Sequence, residues 1–129
     1  MSDITDKITD ENVDDMISAA ESGMGYWAFA ATSAEKSKAT AEQVCIFVRQ
    51  EDEDDNLTRV VHYLTRDDIR AAYEKLLHVD QTWVGRVMHN YFISSWHGRD
   101  ENGIDAGEID SDAGDVLLQL AAVGEVIYG

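Results

Sequence analysis

Val44-Cys45-Ile46-Phe47-Val48-Arg49-Gln50-Glu51-Asp52-Glu53-Asp54-Asp55-Asn56-Leu57-Thr58-Arg59-Val60-Val61-His62-Tyr63-Leu64 is the stretch that decides the fold. Two runs rich in β-branched and aromatic residues suit a pleated, half-buried surface, whereas the five adjacent carboxylates between them repel one another and stay in water. Residues 43–64 therefore read as a β-hairpin with the acidic run at its tip. A six-residue tip sets Gln50 opposite Leu57 and, in the same register, Cys45 opposite His62.

Working outward, Tyr26-Trp27-Ala28-Phe29-Ala30-Ala31 predicts a strand near 26–31, and the small, polar stretch 32–41 a loop. Val13, Met16, Ile17 and Ala20 recur at helical spacing behind Thr9 and Asp10, with Gly23 and Gly25 beyond, which predicts a helix over 10–22. Thr65 with Asp68 resembles a capping box for a second helix over 66–78, whose apolar stripe is Ile69, Ala72, Tyr73, Leu76 and Leu77. Val84, Val87, Met88, Tyr91, Phe92 and Ser95 predict a third over 81–97, placed centrally. Ser111 or Asp112 caps a fourth, with Val116, Leu117, Leu120 and Ala121 inward, and Gly124 ends it before a short strand at 125–128. The expected fold is α+β: a small, mostly antiparallel sheet, made of hairpin 43–64 and strands near 26–31 and 125–128, covered by about four helices.

With 129 residues and 44% apolar content, the chain is expected to form one acidic domain, 1–129, with a substantial core. Its first residues lack the basic and apolar regions of a signal peptide, and no apolar run approaches the ~20 residues of a membrane span, so a soluble, cytoplasmic protein is expected. A single cysteine, Cys45, leaves no intrachain disulfide.

The net charge is −16, and its distribution is uneven. Eighteen of twenty-six carboxylates fall within residues 1–15, 51–55 and 100–115, while residues 56–99 carry four acids and six bases. The ordinary account is solvation: sixteen Asp, ten Glu and only four Lys also suit a salt-adapted protein. Adaptation to salt, however, would spread carboxylates over every exposed face. The sharper account is an acidic surface that meets a basic protein, its carboxylates standing in for nucleic-acid phosphates. Nucleic acid and anionic membranes are disfavoured as direct ligands, because like charge opposes their approach.

The ending from Asp112 to Gly129, together with Gly25-Tyr26-Trp27-Ala28, resembles a family of small acidic proteins of actinobacteria and their phages. The resemblance implies a phage setting, hence a host DNA- or RNA-handling or defence protein as the basic partner, and it transfers no catalytic residue.

The candidate partner-binding residues are Asp10, Glu11, Asp14 and Asp15, then Glu51, Asp52, Glu53, Asp54 and Asp55, then Asp105, Glu108, Asp110 and Asp112, with Trp83, beside the apolar stripe of the third helix, and Trp96, at its C-terminal end, as aromatic contacts. Residues 100–105 and 110–115 offer oxygen ligands at alternate positions but miss the offsets of a calcium loop, so turns and caps are expected there and no metal site. Cys45 beside His62 is the one catalytic alternative, for a small-molecule-binding or hydrolytic domain; it lacks an orienting third group. No catalytic residue and no cofactor is assigned. A non-enzymatic acidic binding protein is the expected function, with unknown oligomeric state.

Overall fold

The computed structural model of the protein describes residues 3–53 and 56–129. The hairpin is longer than its charges suggested. Strand β2, Gln43–Glu53, pairs antiparallel with β3, Asn56–Thr65, and the pairing continues to Glu53 opposite Asn56. Glu51, Asp52 and Glu53 are thus strand residues, because Arg49 lies on the same side of β2 as Glu51 and neutralises it in an ion pair. With the ladder extended to a two-residue tip, the expected juxtaposition fails: Cys45 faces Leu64, and His62 faces Phe47. A short strand β1, Phe29–Ala30, adds to β2 through Phe29 opposite Val48, giving the order β1-β2-β3.

Strand β1 is shorter than expected because the N–H groups of Trp27 and Ala28 both bond to the Met24 carbonyl, bending the chain just before it. Beyond it, the expected loop contains a turn of helix. Thr32 and Glu35 form a reciprocal capping box at the start of Ser33–Lys36. The Glu35 carboxylate then accepts from Nε and Nη2 of Arg59 and its carbonyl from the Tyr63 hydroxyl, so this turn rests on the β3 residues whose side chains alternate away from Cys45 and Phe47.

The helices carry the apolar spacing that the sequence displays. We number them α1, Asp3–Lys7; α2, Asp10–Glu21; α3, the turn Ser33–Lys36; α4, Arg66–Leu77; α5, Arg86–His97; and α6, Ser111–Val123. Val13, Met16, Ile17 and Ala20 of α2 and Ile69, Ala72, Tyr73, Leu76 and Leu77 of α4 are all buried. Helix α5 starts later than expected, because the Gln81 side chain bonds both the N–H and the carbonyl of Val84 and holds 81–84 outside the helix. It is also peripheral and not central, with only Phe92 and Ser95 buried and Val87 75% exposed.

The central helix is α6. Ala113, Gly114, Leu117, Leu118 and Leu120 are buried, and Gly114 meets α2 so closely that a Cβ there would lie 2.6 Å from the Ala20 nitrogen. Gly124, at φ 84°, ends α6 in the left-handed conformation that glycine tolerates best. The expected strand at 125–128 is not one. Its backbone is satisfied by the Gln119 side chain, which accepts from the N–H groups of Ile127 and Tyr128 at 2.9 and 2.8 Å and donates to the Tyr128 carbonyl at 3.2 Å. Among the described residues no helix is long and apolar enough to cross a membrane.

Candidate functional site

The first acidic cluster divides by its position around α2. Asp10 and Asp14 face α4, where Asp10 bonds Arg70 at 2.6 Å and Asp14 bonds Arg66 at 3.0 Å. The Arg70 hydrogen bond holds the Asp10 carboxyl below the usual range. Glu11 and Asp15, each one residue on and so rotated by about 100°, face the other way. They line a hollow of about 720 Å³ with Asp100, Glu101 and Asp105 from the loop after α5. Five carboxylates, and no Lys, Arg or His, line this hollow.

Asn12 brings the two clusters together. Its amide is buried, its Oδ1 accepts from the N–H groups of Thr9 and Ile104, and its Nδ2 donates to the Ile104 carbonyl. Gly103, at φ 108°, packs against the same amide, and a Cβ there would collide with the Asn12 Oδ1. Asp105 N–H bonds the Ser95 carbonyl at 2.9 Å and ties the loop to α5. Asn12 escapes a sequence reading because asparagine three residues after a capping threonine resembles the capping box only loosely; Asp100 and Glu101 were visible as charges but not as partners of α2.

The other expected residues whose side chains are described do not join this hollow. Glu51 is paired with Arg49; the side chains of Asp52 and Glu53 are not among those described, and Asp54 and Asp55 lie outside the described residues. Asp110 caps α6 by accepting from the Ala113 N–H at 2.8 Å, while Glu108 and Asp112 are exposed. Trp83, 36% exposed, borders a separate hollow with Lys75, His78 and Gln81. Trp96 is half-buried, with the Arg99 guanidinium 4.3 Å above its ring.

Neither alternative chemistry is assembled. Burial pushes the Cys45 thiol up to about 12, away from the thiolate a nucleophile needs. His62 is held below its ordinary value by burial and then by Arg49, whose Nε donates to His62 Nε2 at 2.8 Å. In the suspected calcium loops, Asp100 accepts from the Asn102 N–H and Asp110 from the Ala113 N–H, so both serve as turn and cap acceptors. Among the described residues no three His, Cys, Asp or Glu converge as a metal site.

Asp115 belongs to a different arrangement. It is buried, and its carboxylate accepts from the Tyr26 hydroxyl and the Trp27 indole, both at 2.6 Å, and from Gln119 at 3.1 Å. Burial, reinforced by Asp115, raises the Tyr26 phenol to about 12.

No protein-family model matches the chain, and neither a curated protein nor a solved structure is significantly similar to it.

Proposed function

We propose that the protein is a non-enzymatic acidic binding protein, a nucleic-acid mimic that occupies the basic groove of a DNA- or RNA-handling or defence protein, in keeping with a phage setting. One observation carries this reading: Glu11, Asp15, Asp100, Glu101 and Asp105 converge on one hollow that no basic side chain lines. Solvation alone does not require carboxylates from two distant segments to line one concave surface, where like charges repel. A cationic groove relieves that repulsion on binding, as it does for phosphates.

The test is salt-dependent capture from a host lysate, followed by competition between the protein and nucleic acid for the captured partner. Neutralising Glu11, Asp15, Asp100, Glu101 and Asp105 to Gln or Asn lowers partner affinity more than tenfold, about 1.4 kcal/mol. Asp10→Asn with Asp14→Asn changes it far less, because those charges already pair with Arg70 and Arg66. Equal losses in both variants, or binding indifferent to salt, would return the charge to solubility.

A further inference from the structure

Residues 125–129 follow the left-handed Gly124 and make no backbone–backbone hydrogen bond among the described residues. Their backbone is gripped instead by one side chain, Gln119, which is fully buried and engages two successive N–H groups and a carbonyl of the segment. A receptor holds an extended peptide through the peptide's main-chain hydrogen bonds, and here an amide side chain supplies those bonds in place of a neighbouring strand. The Tyr128 ring lies flat on Trp27, with centroids 5.0 Å apart and planes 7° from parallel. Asp115 fixes the Trp27 ring and the Gln119 amide from behind, so the receiving surface is preorganised by groups outside the segment.

We propose that Trp27 and Gln119 form a peptide-binding groove, filled in cis by Val126–Tyr128, whose ligand in trans is an extended segment bearing a tyrosine. The pattern it reads is two consecutive amides, the carbonyl after them, and a phenol ring lying against the indole. Because no sheet or helix hydrogen bond breaks when the segment leaves, it opens locally while the rest of the fold persists. The tethered segment competes with any trans ligand at an effective concentration of about 1 mM. This groove is independent of the acidic hollow.

Two measurements on the full-length chain test it. In the unaltered protein, hydrogen exchange reads the opening directly: the Ile127 and Tyr128 amides are protected only about 10–100-fold, against ~10⁴-fold or more for core amides. Exchange of both only through global unfolding would overturn the proposal. The second measurement uses Ile127→Pro with Tyr128→Ala, which removes one gripped N–H and the ring. This variant binds the synthetic peptide Gly-Glu-Val-Ile-Tyr-Gly saturably, at least tenfold tighter than the unaltered chain does. Replacing the peptide's tyrosine by alanine, or adding Gln119→Ala to the protein, weakens binding at least tenfold. Absence of saturable binding by a variant with native circular dichroism, or equal binding by the released and unaltered chains, would also overturn it.

Discussion

Trp27 Nε1 donates to Asp115 Oδ1 at 2.6 Å across 88 residues of sequence. This bond joins the segment before the sheet to the central helix, and a buried carboxylate with three donors is stable only while all three remain.

Asp115→Ala should therefore lower stability by about 3 kcal/mol, since the Trp27 indole and the Gln119 amide are left without this acceptor. Asp115→Asn, which keeps one acceptor oxygen, should cost less. Urea denaturation measures both. Ultraviolet titration supplies a second reading, because the phenol of Tyr26, raised to about 12 by burial and then by Asp115, should move back toward 10 in the Asn variant.

Gly114→Ala tests the contact between α2 and α6. The added Cβ meets backbone atoms of Ala20 at 2.6 and 2.9 Å, and backbone cannot rotate aside as a side chain does. A loss of about 1–3 kcal/mol is expected from the overpacking, read as a lower denaturation midpoint. Gly25→Ala, where a Cβ meets nothing within 4 Å, is the control.

Alkaline pH should destabilise the fold in two stages. Cys45 is raised from 9.0 to about 12, and Tyr26 and Tyr73 from 10.0 to about 12, in each case chiefly by burial. A raised pKa means that the unfolded chain releases its proton first. The stabilisation is therefore complete below the unfolded value and is lost as pH climbs toward the folded one. Melting temperature should begin to fall near pH 9 and fall more steeply above 10. Cys45→Ala should remove the first stage and leave the second.

The sequence displays what local chemistry controls. The stripe of α2, the capping box at Thr65 and the stop at Gly124 are each written within one or two helical turns, and the structure keeps all three. Residues 32–35 carried the same kind of signal, Thr-x-x-Glu, in a stretch too polar to read as helix. Elements decided by distant partners were harder to see. The β-rich run at 125–128 looks like a strand until Gln119 is known to satisfy its backbone, and residues 27 and 28 look like strand until the Met24 carbonyl is known to gather their amides. The hairpin register slipped for an electrostatic reason: five acids read as a solvated loop, yet Arg49 neutralises Glu51 within the ladder. The candidate site divides likewise. Its charges were plain, but which of them converge was set by the Asn12 amide holding Ile104 from 92 residues away.

The pairing of α2 with α6 also bears on how the chain is made. At about 5–20 residues per second, a ribosome takes roughly 4–18 s to synthesise the 88 residues that separate Trp27 from Asp115. Over that interval Val13, Met16, Ile17, Ala20 and Trp27, all buried in the finished protein, lack their main cover. The nascent chain thus presents an apolar helix face beside strongly anionic segments, which keep it dispersed by repulsion while α6 is still to come.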